Sequence, residues 1–408
     1  SGMDNKAIVK CKNMFALGIC FYIYNQSEDY AKRYIDSKFG KKNPAVAEAN
    51  KRAIDAGYNY AANTHQFANT YKVSAAPLEK GTYRSINGNV ATAWGFIAAA
   101  EKAGLPLFCG SYPITPATVI LEELAKHKSL GVKTVQAEDE IAGICTSIGA
   151  AFAGNFAVTT TSGPGLSLKS EALGLAVMAE LPLVVVDVQR GGPSTGLPTK
   201  TEQSDLMQAI YGRNGECPVV VMAASSPSDC FHYAYMASKI AMEHMTPVIL
   251  LTDGFIANGS EPWRIPSMAE YPAICPPIVN EAPAEGEFMP YARGENLARG
   301  WAFPGKGGLE HRIGGLEKDH LKGSISYDPT NHQEMTRTRA AKVAKVVEDV
   351  PALEIMGEKD ADVLVVGWGG TKGHLQAAVS DLQAEGKSFA LQLPQSATEQ
   401  HRGDARWT

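Results

Sequence analysis

Three apolar runs, Leu105–Phe108, Ala157–Thr159 and Leu183–Val188, each lead into a turn rich in Gly, Ser, Thr or Pro. Gly88-Asn89 opens an alanine-rich helix, Ala91–Ala103, before the first run, and strands and helices alternate on to about Asn258. Strands that are apolar throughout have no solvent face, so this order predicts a parallel sheet with helices over both sides. In such an open α/β sheet the ligand crevice forms from loops at the carboxyl ends of the strands. Those loops read Cys109-Gly-Ser-Tyr-Pro-Ile-Thr-Pro-Ala-Thr118, Thr159-Thr-Thr-Ser-Gly-Pro-Gly165 and Gln189-Arg-Gly-Gly-Pro-Ser-Thr-Gly-Leu-Pro-Thr-Lys200. A further polar cluster, Glu138-Asp-Glu140, opens a helix. Small residues in these turns let a ligand approach backbone N–H groups closely. Four such clusters on successive units point to one site.

The remaining features narrow the class. A chain of 408 residues is expected to hold two or three domains. Its net charge of −5, without a Lys/Arg run, gives no basis for nucleic-acid binding. No apolar run is long enough for a membrane span, and the N-terminus lacks the hydrophobic region of a signal peptide. Seven cysteines without a Cys-x-x-Cys pair suggest neither a disulfide framework nor a metal knuckle, which fits the cytoplasm. Ser1-Gly2 ahead of Met3 reads as an expression remnant.

Outside the central region there is less chemistry. Residues 1–75 read as a helical piece: Lys12–Tyr24, Ser27–Phe39 and Asn43–Gly57, the last closing on its glycine. Asn63–Thr82 reads as a linker. From Ser260 to about Thr330 the chain is Pro- and Gly-rich without periodicity, a functional strap or linker. Met335–Glu348 is expected as an amphipathic helix with Arg337, Arg339, Lys342 and Lys345 on its polar side. A strand and turn over Asp362–Thr371 then precede a helix at Gly373–Glu385. Gly367, Gly369, Gly370 and Gly373 have the wrong spacing for a dinucleotide fingerprint, so the expectation is an ordinary strand-to-helix turn.

Several central residues carry two readings each. A carboxylate such as Glu140 in a helix's first turn ordinarily serves the helix dipole. Crowding of Glu138, Asp139 and Glu140 requires at least one to turn from water or find a partner. Behind them Ala142, Gly143, Gly149, Ala150, Ala151 and Gly154 would let a flat ring or another subunit come close. Arg190 could be a surface arginine, yet it ends a strand that is apolar but for Asp187 and precedes two glycines. A guanidinium so placed suits a carboxylate. Thr115 beside Pro116 could be a simple cap, and a loop lysine such as Lys200 is ordinarily solvated.

These residues also carry a resemblance. Gly88-Asn-Val-Ala-Thr-Ala-Trp-Gly95, Tyr112-Pro-Ile-Thr-Pro116, Glu138-Asp-Glu-Ile-Ala142, Thr161-Ser-Gly-Pro-Gly165 and Arg190 to Asp205 are similar to the α subunit of 2-oxoacid:ferredoxin oxidoreductases. The 2-oxoglutarate branch is the nearest, and the likeness covers about Ile86 to Asn258. Residues 1–75 resemble the end of the fused γ-type domain, and 350–408 the start of a transketolase-C-like domain. That implies a pyrimidine-binding thiamine-diphosphate domain at 86–260, then the strap and helix at 261–345.

The resemblance implies roles as well. Gly149, nine residues on, singles out Glu140 as the carboxyl that bonds the cofactor's aminopyrimidine and favours the imino tautomer, which generates the ylid. Tyr112, Pro113, Ile114, Gly163 and Gly165 would join Glu140 in holding the cofactor. Thr115 and Arg190 would take the substrate's 1-carboxylate, and Lys200 a distal one. No Gly-Asp-Gly…Asn motif is present, Asp253-Gly254 with Asn258 being too short an imitation. No cysteine set could hold a cluster. Magnesium, the diphosphate and an iron–sulfur cluster are therefore expected on a β subunit, with coenzyme A, ferredoxin and pairing of αβ units completing the assembly. The chain alone would be inert and bind the cofactor weakly. Alternatives are pyruvate, branched-chain or aryl-pyruvate specificity, or a non-catalytic thiamine-fold assembly subunit. The N-terminal helices, without the start of their domain, are expected to be poorly supported. Gln392–Thr408 reads as an aberrant polar tail. Back-translation with plausible codons and a one-base shift gives a stretch resembling Asn-Phe-Pro-Asn-Pro-Leu-Pro, so a frameshift or abnormal terminus is expected.

Overall fold

A computed structural model describes residues 8–67, 69–351 and 353–394. The Ser1-Gly2 remnant and nearly all of the tail lie outside them. The chain divides into two units, Ser1–Lys80 and Gly81–Thr408.

The first unit holds helices α1 (Lys12–Ile23), α2 (Asp29–Ile35) and α3 (Pro44–Thr64). Asn43 caps α3 by accepting from Val46 N, with Pro44 in its first turn. The expected stop at Gly57 is corrected: α3 runs on to Thr64 and ends at His65 in the left-handed region. Gly57 is a packing residue instead. A Cβ there would lie 1.9 Å from Phe15 O, and one on Gly18 would lie 2.1 Å from Ile54 O. The two glycines let α1 and α3 touch backbone to backbone, beside a small core of Ile35, Ala47 and Ile54.

The second unit is built on the expected sheet. Strands β2 (Leu107–Ser111), β3 (Lys133–Gln136), β4 (Phe156–Thr161), β5 (Leu183–Gln189), β6 (Val220–Ala223) and β7 (Pro247–Asp253) are all parallel, in the order β3-β2-β4-β5-β7-β6. Helices α4 (Gly88–Ala103), α5 (Thr118–Leu124), α6 (Glu140–Phe152), α7 (Gly163–Leu168), α8 (Ser170–Ala179), α9 (Leu206–Tyr211), α10 (Asp229–His244) and α11 (Gly254–Asn258) surround it. Alternate residues of β5 enter opposite cores. Val184, Val186 and Val188 meet Phe96 of α4 and Ile240 of α10, while Leu183 and Val185 meet Ile144 of α6 and Leu173 of α8. Burial on both faces is why the strand reads as an unbroken apolar run. Strand β1 (Tyr83–Asn87) pairs antiparallel with β8 (Ser260–Arg264), closing the domain's two ends on each other.

After β8 the chain is irregular, as expected, apart from short pieces. Ile278–Val279 and Trp301–Ala302 pair in parallel, here β9 and β10. The following helix, α12 (Pro329–Lys345), begins before Met335 because Asp328 caps it and Pro329 opens it. Its expected polar side holds at Arg337, which is exposed, but is corrected at two positions: Arg339 is 3% and Lys342 2% exposed. Lys342 bonds the buried Glu180 carboxylate and Met245 O, and Arg293 bonds the same carboxylate. Burial pushes the Glu180 carboxyl up, but Lys342 and Arg293 outweigh it and hold it at about 2. A paired charge can be buried where helical periodicity alone predicts solvent.

Beyond α12, β11 (Ile355–Met356), β12 (Val363–Val366) and β13 (Phe389–Gln392) form a three-stranded sheet ordered β11-β13-β12, with α13 (Lys372–Ala384) packed on it. The turn before α13 is not an ordinary one. Gly369 adopts φ +60° with its would-be Cβ 3.0 Å from Gln203 Nε2, and a Cβ on Gly370 would lie 2.3 Å from Asp253 Oδ2. Gln203 Nε2 also donates to Trp368 O at 3.0 Å. The glycines thus dock this piece on the carboxyl end of β7. Among the described residues no helix is long and apolar enough to cross a membrane.

Candidate active site

The β3–α6 turn sorts its three carboxylates by position. Asp139 is the N-cap and accepts from Ala142 N at 2.7 Å. Glu138 and Asp139 are exposed, while Glu140, the first helical residue, is 7% exposed. No hydrogen bond or ion pair among the described residues uses the Glu140 carboxyl. It lies against the α7 turn. A Cβ on Gly165 would fall 2.8 Å from Glu140 Cγ, 3.1 Å from Oε1 and 1.9 Å from Thr161 Oγ1. Gly165 therefore keeps the carboxyl close to bare backbone, and Gly163 does the same for the Asp205 carboxylate, 2.7 Å from its would-be Cβ. An unpaired buried carboxyl in such a cradle can exchange a proton with a ring nitrogen laid over it.

Beneath Glu140 sits a residue that sequence reasoning missed. Lys169 is fully buried, and its Nζ donates to Glu140 O at 2.8 Å and Thr159 Oγ1 at 3.1 Å. Burial lowers its ammonium to about 8, with the Glu140 charge the leading opposing influence. The signal was available: Lys169 falls between buried Leu166 and Leu173 at core-facing helical spacing. Small residues in and just after α6 serve different contacts. Gly143 packs on Ser111, Gly154 admits the Phe303 ring, and Gly149 alone of the three has nothing within 4 Å of a would-be Cβ.

Arg190 closes the other side, 6% exposed at the end of β5. Its Nη1 donates to Thr115 O at 2.6 Å and its Nη2 to Thr195 O at 2.8 Å, while its buried Nε has no partner. The structure thus brings Thr115 and Arg190 together, through a backbone carbonyl rather than the threonine hydroxyl. Tyr112 is exposed, and Pro113 and Ile114 are half-buried on the same loop. Lys200 is exposed, in a loop whose ends meet through Gly191 N and Lys200 O at 2.9 Å.

That loop is rooted by polar groups. Gln189 accepts from Asp205 N at 3.1 Å and donates to Thr252 O at 3.0 Å. Asp187 is completely buried, and neither of its oxygens has a donor from any neutral or cationic group. Its neighbour is the Asp205 carboxyl. Burial, then the Asp205 charge, pushes Asp187 well above the usual carboxylate range, which favours the protonated form. Asp253, whose neighbours imitate a diphosphate motif, is a helix cap for α11, accepting from Phe255 N at 2.7 Å and Ile256 N at 3.1 Å. Among the described residues no cluster of three His, Cys, Asp or Glu is placed to hold a metal.

Comparisons with known proteins find relatives of the chain. A family model described as "Pyruvate flavodoxin/ferredoxin oxidoreductase, thiamine diP-bdg" matches residues 99–325. The chain is 54% identical over 392 residues to the 2-oxoglutarate oxidoreductase subunit KorA of Mycobacterium tuberculosis, covering 95% of this chain and 59% of that protein. It is 35% identical to the 2-oxoglutarate synthase subunit KorA of Methanothermobacter marburgensis, covering 74% of this chain and 78% of that one. It superposes with a TM-score of 0.84 and 37% identity on the solved 2-oxoglutarate:ferredoxin oxidoreductase from Magnetococcus marinus with 2-oxoglutarate, coenzyme A and succinyl-CoA bound, covering 96% of this chain and 68% of that one.

Proposed function

The chain belongs to the 2-oxoacid:ferredoxin oxidoreductases as an α-type subunit of the 2-oxoglutarate branch, and from that premise we propose that it supplies the pyrimidine side of a thiamine-diphosphate site oxidising 2-oxoglutarate. In that reaction the C1–C2 bond of the oxoacid breaks with loss of CO2. The acyl group passes to the coenzyme A thiol, and an electron pair passes to ferredoxin. Thiamine diphosphate, when bound, provides the nucleophilic carbon and electron sink for that cleavage.

The observation that carries the reading is the unpaired Glu140 carboxyl, 7% exposed and held against Gly165. It holds and moves a proton at the ring nitrogen of the aminopyrimidine. Lys169 fixes the backbone from which that carboxyl projects. Tyr112, Pro113 and Ile114 form the adjoining wall, and Gly163 and Gly165 leave room for the ring. Arg190 keeps undonated N–H groups after bonding Thr115 O and Thr195 O, because a guanidinium has five donors. These, with Thr115, receive the substrate's 1-carboxylate, and Lys200 reaches its distal carboxylate. A non-catalytic scaffold has no reason to bury a carboxyl without a partner.

The rest of the site belongs to a partner β subunit carrying magnesium, the diphosphate pocket and an iron–sulfur cluster. Pairs of αβ units work in the cytoplasm. Glu140→Gln, co-expressed with the β partner, tests the assignment: it keeps shape and removes the acid. Thiamine diphosphate binding should persist while CoA-dependent turnover falls by roughly 10²–10⁴-fold. Near-normal turnover would remove Glu140 from the mechanism.

A further inference from the structure

The loop carrying Arg190 and Lys200 is tied to itself and, at its root, to the end of β5. Gly191 N donates to Lys200 O at 2.9 Å and Gly192 N to Glu202 Oε2 at 2.7 Å. At the root Asp205 N donates to Gln189 Oε1 at 3.1 Å. A second root contact joins side chains. Asp187 has both carboxyl oxygens buried without a donor, and Asp205 Oδ2 is buried without one as well. Each carboxyl is the other's hydrogen-bonding neighbour. Asp205 also rests on Gly163, where a Cβ would lie 2.7 Å from Oδ2 and 3.0 Å from Oδ1.

Two carboxylates facing each other out of water repel, and among the described residues no cation is paired with Asp187 to offset this. One proton between them replaces the repulsion with a charge-assisted O–H···O bond. Burial raises both carboxyls above their usual range, which favours keeping that proton. With it in place, Asp205 joins three parts of the site: the loop it closes, strand β5 and the glycine turn of the cofactor cradle. Without it, the same contact pushes the loop's closing end off the sheet.

We propose that Asp187 and Asp205 share one proton and that this bond positions the 190–205 loop for the substrate. It holds Arg190 and Lys200 in the arrangement that spans a dicarboxylate, and the two aspartates act through the loop rather than on the substrate. The inference rests on the reading of Arg190 and Lys200 as substrate residues.

Infrared spectra of the full chain and kinetics of its complex with the β partner test this. At neutral pH the native chain should show a protonated-carboxyl absorption that is missing from both Asp187→Asn and Asp205→Asn, because either amide donates to the remaining carboxylate with no proton bound. In the complex, Asp187→Asn keeps the bond and should leave KM for 2-oxoglutarate within about threefold of native. Asp187→Leu loses the bond and should raise KM roughly ten- to hundredfold, the usual effect of losing a charge-assisted hydrogen bond, with kcat changing less. Should Asp187→Leu fail to fold, Asp205→Ala, at the half-buried partner, should raise KM in the same way. An infrared spectrum unchanged in both amide variants would overturn the shared proton. Asp187→Asn as damaging to KM as Asp187→Leu, or a KM unaffected by removing either carboxyl, would overturn the positioning role. Because the infrared measurement needs no turnover, failure of the proton pair and failure of the substrate reading are told apart.

Discussion

Replacing Lys169 by methionine separates stability from catalysis, because the residue's contributions to the two are of different kinds. Its ammonium is lowered to about 8 by burial, against about 10.4 for an unhindered lysine. At about 1.4 kcal/mol per pH unit, holding the charge inside at neutral pH costs ~3 kcal/mol. Methionine removes that cost but strands Glu140 O and Thr159 Oγ1, each worth about 1–3 kcal/mol when left unsatisfied. The contributions largely offset, so the net change in stability should lie between a gain of about 1 and a loss of about 3 kcal/mol. The pH dependence should change more clearly. A lysine whose folded pKa is depressed binds fewer protons folded than unfolded, so its cost is relieved as pH rises from about 8 towards about 10.4. Native protein should gain stability across that window, and the variant should lose this gain. Activity should respond differently from stability. Without its tether the first turn of α6 is free to shift, and a displacement of about 1 Å at a reacting group can cost ~10²-fold. Thermal melts at neutral and alkaline pH, with kcat for 2-oxoglutarate in the complex with β, read both effects. Unchanged kcat in Lys169→Met, or an alkaline gain that survives the substitution, would refute the reasoning.

Gly165→Ala should destabilise by roughly 1–3 kcal/mol as its methyl displaces Thr161 and Glu140, with kcat falling further than denaturation alone explains; an unaffected kcat would mean the carboxyl is not positioned by that backbone. Asp187, raised well above the usual carboxylate range, binds a proton more tightly folded than unfolded. Its contribution is therefore lost as pH rises from about 3.9 through the folded value, by up to ~1.4 kcal/mol per unit. Asp187→Asn should flatten that fall in urea titrations at mildly acidic and neutral pH, and an unaltered slope would show that Asp187 holds no such proton. Lys200→Met should lower kcat/KM for 2-oxoglutarate about ten- to hundredfold more than for 2-oxobutyrate; equal losses would return Lys200 to a structural role.

Much of this molecule was legible along the chain because its signals are local. The runs Leu105–Phe108, Ala157–Thr159 and Leu183–Val188 are largely apolar on both faces, and that points to a parallel sheet covered twice. Crowding at Glu138-Asp139-Glu140 required at least one carboxyl to leave water or find a partner, and the fold then shows Asp139 capping the helix and Glu140 as the buried one. The tertiary structure decided where charges and glycines found partners far away in sequence. Lys169, Arg339 and Lys342 are buried cations, two of them expected on a polar helix face and one not noticed at all. Gly57 and Gly370 proved to be places where distant segments press together. A hydrophobic period reports one residue's preference for water or core. Whether a charge can stay inside depends on a counter-charge or carbonyl supplied by another element, such as Glu180 for Lys342 across 162 residues. That pairing exists only once the chain has folded.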